Sequence, residues 1–507
     1  MEEKINLFVW GIHDIRMLKA VCKELHDEDK LENCVCIPMG TRYDDSHNDN
    51  MFHVIPSFSL DENTIELLKE NEYPPLDWDI IMKMLPFESK AIELGMRRTN
   101  VPIVEYTREK QRYYRELRRI LYVFRKYQIN SFFATAVPHY QDAFIAYSLS
   151  KIYNFKIRFF VPCTIKDRRL IANDIDTIGC DILETYDKLL IENTTKKIKS
   201  SDLMEYFNTQ TLGIEELKKI KNPGQDGETK KIKRMHTDHY WGIWKKSHQL
   251  VWNPLTRYVK RINELQNKKS ECRWEKKKLF LDNLREEHAL VHFFYKYYRI
   301  SLDKYNSRAE IPLYDKPFIL FALQFEPEAT TSPQAGTFSS QYTSIQLLAY
   351  EAKKYGIDIY VKEHGHLSMR NKHFYDEISM INNVKFIKSS VSTYELIERC
   401  VAVASQTGSC LMEAVMQNKP ALAFGKGCLW KGLPGLFEIL DSEHLNDILR
   451  DIMNQKVQIS NESIYKYFVA IDEKTVIYKA YENNTNIERA INKEVLKNIF
   501  IEFTNGE

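Results

Sequence analysis

The chain has 507 residues, a length that favours two or more domains over one hydrophobic core. Its 72 Lys and Arg residues nearly balance its 70 Asp and Glu residues, and the resulting net charge of +2 excludes a protein that coats nucleic acid. The 12% aromatic content excludes a disordered chain, and 17 Gly with 16 Pro exclude collagen-like or low-complexity sequence.

The amino-terminal segment alternates strands with helices. An apolar strand at 5–10, a turn at Gly11 and an amphipathic helix at 15–25 form the unit from which parallel α/β sheets are built. A second unit repeats the alternation. Its predicted elements are a helix at 113–127, a strand at 129–134, a helix at 140–153 and a strand at 156–161. We therefore predict an α/β domain over residues 1–195.

The compartment is predicted from three absences in the sequence. The chain begins with acidic residues and a short apolar run, unlike a secretory signal. No apolar stretch reaches the roughly 20 residues of a membrane helix. The nine cysteines are scattered without paired C-x-x-C motifs, which predicts reduced thiols rather than zinc ligands or disulfides. A cytoplasmic protein is expected.

Segment 196–312 interrupts the alternation and is predicted as a helical, basic and aromatic insert between the two α/β halves. Its basic clusters lie at 230–234 and 276–278 and alternate with Trp241, Trp244, Trp252 and Trp274. Two interpretations stay open: a surface for an anionic membrane or a charged glycan, or a solvated helical face with inward tryptophans.

The carboxyl-terminal half returns to a regular alternation, which predicts a parallel sheet covered by helices on both faces. We assign residues 313–470 to a second α/β domain and 471–507 to helices that pack back on the amino-terminal half. Strands are expected at 318–323, 357–362, 384–387, 400–404 and 421–424, and helices at 342–355, 372–381, 393–399 and 409–417.

Four loops that follow these strands carry polar side chains, and parallel strands would bring all four to one edge of the sheet. They span 324–331, 362–366, 405–409 and 425–427. In the third loop, Thr407, Gly408 and Ser409 precede a helix, where free backbone N–H groups accept a phosphate. Glu413 follows about one turn later and is placed to accept hydrogen bonds from ribose hydroxyls. The alternative, an ordinary helix cap, stays open.

The second loop places Lys362, His364 and His366 beside the predicted phosphate site. Imidazole donates hydrogen bonds to phosphate oxygens, and a protonated ring offsets negative charge. A lone buried histidine is the alternative. His364 and His366 would give a metal two ligands with no third partner, so no metal site is predicted.

Three runs in this half resemble a known family. They are FILFALQFEPEATTSPQAG, IDIYVKEHG and VAVASQTGSCLMEAVMQNKPALAFG, within residues 316–426. These runs resemble the capsule-polysaccharide biosynthesis glycosyltransferases, bacterial enzymes with two Rossmann-like domains of the glycosyltransferase-B type. The family signature Lys-Glu-His-Pro stands here as 362–365, with Gly365 in place of proline.

The resemblance implies roles for individual residues. It implies that His364 contacts the donor phosphate and that Thr407, Gly408, Ser409 and Glu413 hold the nucleotide. Gln324 and Glu326 also match the signature, with a role that transfers less directly, and Lys362 completes the predicted donor-binding set.

The resemblance also implies a mechanism, in which the donor binds the carboxyl-terminal half and the acceptor enters from the other half. His364 would stabilise the leaving phosphate, and a base from the amino-terminal half would take the acceptor proton. Asp14, His139 and Asp142 are the candidate bases at strand ends, together with His13. For each of them, capping or ordinary hydrogen bonding is the alternative.

The predicted function is transfer of a sugar, preferably a CMP-activated acidic sugar, to a surface or capsular polysaccharide. The partners are a nucleotide-sugar co-substrate and a glycan or glycolipid acceptor, with membrane contact through the basic insert at the inner face of the membrane. No cofactor, metal or nucleic acid is expected. The open alternatives are a CDP-polyol phosphotransferase of the teichoic-acid type, a sugar-nucleotide epimerase, and a scaffold with a decayed cleft.

Overall fold

The computed structural model describes residues 4–39, 45–55, 73–96, 106–165, 167–192, 196–221, 304–326, 328–364, 370, 373–479 and 485–504. The first domain is built on a sheet whose interior strand β1 has eight consecutive buried residues. Such a continuous apolar run is expected where helices cover both faces of a parallel sheet. Its strands are β1 (Ile5–Ile12), β2 (Leu31–Pro38), β3 (Phe52–Val54), β4 (Ser131–Ala134), β5 (Lys156–Pro162) and β6 (Arg168–Ala172).

Seven helices are described in this part of the chain, the last of which packs on residues 393–399 of the second domain. Helix α1 begins after Asp14, whose carboxylate accepts a hydrogen bond from the Met17 amide at 3.0 Å and so caps the helix. The helices are α1 (Ile15–Asp27), α2 (Trp78–Met96), α3 (Tyr106–Lys126), α4 (Gln141–Ile152), α5 (Cys180–Ile191), α6 (Ser201–Gln210) and α7 (Ile214–Lys221).

The second domain contains a fully parallel six-stranded sheet, β7 (Phe318–Ala322), β8 (Asp358–Lys362), β9 (Val384–Phe386), β10 (Ala402–Ser405), β11 (Ala421–Ala423) and β12 (Leu436–Glu438). The spatial order is β9-β8-β7-β10-β11-β12. Its described helices are α8 (Gln341–Lys353), α9 (Phe374–Ile378), α10 (Thr393–Arg399), α11 (Cys410–Met416) and α12 (Ser442–Met453).

The last part of the chain returns to the first domain. Helix α13 (Asn461–Lys474) packs on α5, strand β13 (Thr475–Ile477) pairs antiparallel with β6, and helix α14 (Asn486–Glu502) packs on α1. The first sheet therefore has the order β13-β6-β5-β4-β1-β2-β3, with β6 antiparallel to β5.

The order of strands fixes where a ligand can bind. Both sheets are doubly wound: the chain adds strands on one side and then on the other, and the change of side falls between β1 and β4 in the first sheet and between β7 and β10 in the second, where the paired strands are parallel. A crevice forms at such a switch point because the loops of the two adjacent strands diverge to opposite faces. The predicted architecture of two Rossmann-like α/β domains is confirmed.

Several boundaries differ from the predicted ones. Helix α3 begins at Tyr106 instead of 113, because its first turn is polar and shows little apolar periodicity, and helix α9 is confined to Phe374–Ile378. Strands β2, β3, β6, β12 and β13 were not predicted. Of the insert, 196–221 and 304–312 are described, and its tryptophans and basic clusters lie outside the described residues.

The described helices and cysteines bear on the predicted absence of membrane helices and of disulfides. No described helix has both the length and the apolar character needed to cross a membrane. The eight described cysteines are all free thiols.

Candidate active site

A cleft of about 510 Å³ lies between the two domains. From the first domain it is lined by an apolar wall with one hydroxyl group, formed by Val137, Val161, Pro162, Thr164, Ile175 and Ile178. From the second domain it is lined by loops that follow β7, β8, β10 and β11. The four polar loops singled out in the sequence therefore contribute to one cleft.

A side-chain bridge spans the switch point of the second domain. The Gln324 amide oxygen, after β7, accepts a hydrogen bond from the Thr407 backbone amide, after β10, at 3.0 Å. The Gln324 amide nitrogen donates to the Thr407 hydroxyl at 3.3 Å. The first domain has a matching bridge, in which the Thr135 hydroxyl donates to the Gly11 carbonyl at 2.6 Å. Gln324 thus fixes the position of the 407–409 segment.

Two glycines allow this segment to pack closely against its neighbours. A Cβ atom on Gly425 would lie 2.7 Å from the Thr407 methyl carbon, and one on Gly408 would lie 3.1 Å from the Ser405 hydroxyl. The Ser405 hydroxyl in turn donates to the Ala322 carbonyl at 2.8 Å, which ties β10 to the end of β7. The loops after β7, β10 and β11 therefore form one rigid wall of the cleft.

Helix α11 starts immediately after this segment. Ser409 is its N-cap residue, is exposed, and makes no capping hydrogen bond with its side chain. Glu413 does not line the cleft. Its carboxylate interacts with the Tyr394 hydroxyl, and burial followed by this negative charge raises the pKa of Tyr394. Burial raises the pKa of Tyr206, from the first domain, and the charge of Glu413 adds to this rise. The Glu413 carboxylate therefore lies where the two domains meet.

The loop after β8 combines an exposed imidazole with a buried ion pair. His364 is exposed and lines the cleft, with its ring 6.3 Å from that of Phe325. The His364 amide donates to the Glu363 carboxylate at 2.9 Å. Glu363 accepts two further bonds from the buried Arg370 guanidinium, at 2.9 and 2.8 Å. Burial acts to raise the pKa of Glu363, but Arg370 outweighs it and holds the pKa below its usual value.

Arg370 connects two of the cleft loops. It donates to the Gln324 carbonyl at 2.6 Å and pairs with Glu326 at 3.0 Å. Glu326 also accepts a hydrogen bond from Gln341 at 2.5 Å, and it does not line the cleft. One buried guanidinium therefore joins the loop that carries His364 to the residue that holds Thr407.

Lys362 lines the cleft near its base, but its ammonium group is directed at the backbone. It donates to the Val391 carbonyl at 2.5 Å and to the Ser389 carbonyl at 3.2 Å. These bonds hold the segment before α10 against the end of β8. Lys362 thus has a positioning role in the described structure.

The candidate bases of the first domain do not line the cleft. Asp14 caps α1 and pairs with Arg489 at 3.1 Å. The His139 ring packs against Trp10 and Tyr140, and its Nδ1 lies 2.5 Å from the Val137 carbonyl. His139 is half-buried, two residues from Val137 on the cleft wall.

Asp142 is buried inside the first domain, although it lies in the first turn of α4. It is 1% exposed and accepts a hydrogen bond from the Ala143 amide at 2.9 Å. Its charge acts on Glu116 and Arg119 of α3. Burial raises the pKa of Glu116 to about 7; the Arg119 guanidinium opposes this rise and the Asp142 charge adds to it. Asp142 is therefore placed in the packing of α4 against α3, away from the cleft.

Two residues of this region have no role among the predictions made from the sequence. Lys426 lines the cleft and is exposed, and its ammonium makes no ion pair with any residue that the structure describes. Its position between two glycines in a strand-end loop was the available signal. Arg370 gave no signal, because nothing in its local sequence marks a buried cation.

No three or more His, Cys, Asp and Glu side chains among the described residues form a group that could hold a metal ion. His366 lies outside the described residues.

Comparison with known proteins finds similarity only at the level of solved structures. No family model and no curated protein matches the chain. A glycosyltransferase from Rickettsia africae is 11% identical over all of both chains, with a TM-score of 0.29. A UDP-GlcNAc 2-epimerase from Methanocaldococcus jannaschii, solved with UDP-GlcNAc and UDP, is 11% identical over 93% of this chain and 98% of its own, with a TM-score of 0.27.

A third similar structure is the β-Kdo 2,7 transferase KpsC from Thermosulfurimonas dismutans. It is 15% identical over 41% of this chain, with a TM-score of 0.23. The match spans 60% of the KpsC chain. These values are too low to carry an assignment of activity.

Proposed function

We propose that this protein is a glycosyltransferase that moves a sugar from a nucleotide donor to a surface or capsular polysaccharide, with a CMP-activated acidic sugar as the favoured donor. One observation carries the proposal: His364 and the segment Thr407–Ser409 line the same cleft, at the switch point of a doubly wound sheet. Ligands of open α/β sheets bind at this position. The backbone amides, hydroxyls and imidazole found there suit an anionic leaving group.

In the proposed reaction, an acceptor hydroxyl oxygen forms a bond to the anomeric carbon as the bond from that carbon to the phosphate oxygen breaks. Negative charge accumulates on the departing phosphate, and His364 with the 407–409 segment would stabilise it. Gln324 would keep Thr407 in place through its 3.0 Å hydrogen bond. Glu413 has no direct part in this scheme, because its carboxylate lies beside Tyr394 and Tyr206 at the domain junction and does not line the cleft.

The acceptor proton needs a base, and Glu328 is the proposed one. Its carboxylate is exposed in the cleft and makes no ion pair with any of the residues described in the structure. Glu363, the other carboxylate on the wall, is neutralised by Arg370. Asp14, His139 and Asp142 lie off the wall. No metal is required in this scheme, because the proposed charge stabilisation comes from the protein.

The direct test is donor binding and turnover by the full chain with CMP-, CDP-, UDP- and GDP-linked donors. Because His364 is exposed, His364→Ala should weaken donor use by about 10- to 100-fold while leaving the melting temperature unchanged. His26→Ala, at an exposed histidine on α1, is the matched control and should change neither.

Other outcomes would redirect the assignment. Selective use of CDP-glycerol would indicate the phosphotransferase, and epimerisation of UDP-GlcNAc without transfer would indicate an epimerase. Absence of binding to every donor would contradict the proposal and favour a scaffold. The acceptor and a membrane contact through the basic insert, residues 196–312, remain predictions, to be tested by adding glycan primers and anionic vesicles to the same assay.

A further inference from the structure

The charged side chains on the cleft wall differ in how far their charge is already compensated. Lys362 donates to two backbone carbonyls, and Glu363 is paired with buried Arg370. Lys426 stands apart. Its ammonium makes no hydrogen bond or ion pair with any described residue, and it is exposed in the cleft. The Lys426 ammonium is therefore a positive charge in the cleft that no described carboxylate neutralises.

The backbone of Lys426 is held firmly. Its amide donates to the Ala335 carbonyl at 3.0 Å, and the preceding Gly425 amide donates to the Gln406 carbonyl at 2.9 Å. These bonds place Lys426 beside the segment that contains Thr407. Gly427 follows with φ +73°, a left-handed conformation that suits glycine, and faces the Ile175 carbonyl of the first domain.

The position of the Lys426 side chain is also restricted by its packing. Its aliphatic stem passes over Gly336, where a Cβ atom would lie only 3.4 Å from the Lys426 Cδ. Gly336 itself has φ +72°, so its backbone conformation favours glycine at the position over which the Lys426 stem lies. The stem is thus supported along the cleft wall, while the charged end makes no ion pair within the described residues, as is common for lysine at an aqueous boundary.

We infer that Lys426 is a donor-binding residue, whose ammonium pairs with an anionic group of the donor next to Thr407. The inference rests on the proposed function and extends it to a further residue of the same site. The anionic group is a phosphate or a sugar carboxylate, since either one binds an ammonium ion with a charge-assisted hydrogen bond.

The experiment measures dissociation constants by calorimetry for the full chain and for Lys426→Met, which keeps the stem and removes the charge. The probes are CMP, CDP, UDP, GDP, UDP-GlcNAc and CMP-N-acetylneuraminate. We expect Lys426→Met to bind at least one probe about 10-fold more weakly, with a smaller dependence on salt, and Lys426→Arg to recover most of the affinity. Lys353→Met, at an exposed lysine of α8, is the matched control.

The probes separate the two sources of the anion. A loss seen with free nucleotides assigns Lys426 to a phosphate, and a loss confined to CMP-N-acetylneuraminate assigns it to the sugar carboxylate. Equal affinities of wild type and Lys426→Met for every bound probe would overturn the inference and leave the proposed function intact. Absence of binding by the wild type would overturn both.

Discussion

The ion pair between Glu363 and Arg370 determines the local geometry of the donor side of the cleft. Arg370 is 1% exposed, and its guanidinium contacts Glu363, Glu326 and the Gln324 carbonyl. A buried guanidinium is costly without partners, so these carboxylates and the carbonyl are required for the loop to fold in this form. The same Glu363 carboxylate also accepts the His364 amide, which fixes the backbone that carries the exposed imidazole.

Glu363→Gln should therefore destabilise the protein strongly. The variant removes the closer of two carboxylates and leaves the buried Arg370 with only the half-buried Glu326 as counter-charge, at a cost of up to about 3–5 kcal/mol in the free energy of unfolding. Asp79→Asn, which breaks the exposed Asp79–Lys83 pair, should cost less than about 1 kcal/mol. Urea unfolding at pH 7 measures both, and equal costs for the two variants would contradict the account.

The difference in unfolding free energy between wild type and Glu363→Gln should depend on pH. The pKa of Glu363 is lowered in the folded protein from its ordinary 4.5, so its contribution to stability is fully present above pH 4.5 and is lost as the pH falls through the folded pKa. The gap in unfolding free energy between wild type and Glu363→Gln should shrink on acidification below pH 4.5. A gap that widens there would contradict the lowered pKa.

At the scale of elements, the close approach of the β10 and β11 loops depends on Gly425. A Cβ atom there would meet the Thr407 methyl carbon at 2.7 Å and the Ala335 Cβ at 3.0 Å, and both contacts are too short to persist. Gly425→Ala should therefore displace the 405–409 segment. We expect at least a 10-fold loss of nucleotide affinity and a stability cost of about 1–3 kcal/mol.

Gly213→Ala is the matched control, because a Cβ atom at Gly213 meets nothing within 4 Å. It should leave nucleotide affinity unchanged by calorimetry. If Gly425→Ala binds nucleotide as tightly as Gly213→Ala, then the packing of these two loops does not shape the binding site.

The sequence predicts best those elements whose pattern is local. Parallel strands are buried on both faces, so runs such as 318–323 are continuous and coincide closely with β7 (Phe318–Ala322). Strand β6 alternates buried and half-buried residues and includes the buried Arg168, which offers no apolar run. Strand β13 has three half-buried residues and is defined by pairing with β6, far away in sequence.

The candidate site shows the same division. His364 and the 407–409 segment were found because strand-end loops with polar residues are visible locally, and both line the cleft. The position of Asp142 was not visible in this way. It lies in the first turn of α4, but α3 covers that turn and buries the carboxylate. Tertiary packing decides which side of a helix is covered by its neighbours, and a local sequence pattern does not contain this information.

At the scale of the whole molecule, the chain returns from the second domain to complete the first. Helix α14 places apolar side chains into the core formed by β1, β2 and α1. Its Lys493 and Lys497 pair with Glu24 of α1. The second domain is therefore inserted between two parts of the chain that fold together, and two chain connections join it to the first domain.

Phe500 should hold helix α14 against the core of the first domain. It is fully buried, and its ring lies 5.4 Å from that of Phe133 in β4, in an edge-to-face arrangement. Phe500→Ala should cost about 3–5 kcal/mol, because it leaves a cavity under the first sheet. Ile491→Ala on the same helix, at a residue 44% exposed, should cost far less.

Hydrogen exchange followed by mass spectrometry distinguishes where Phe500→Ala acts. Because Phe500 packs only into the core of the first domain, amides of β1 and β4 should exchange faster, while those of β7 and β10 keep their protection. Ile491→Ala should leave both sets unchanged. Equal loss of protection in the two sheets would mean that the domains unfold as one unit, and the returning segment would then stabilise the whole chain rather than its first domain.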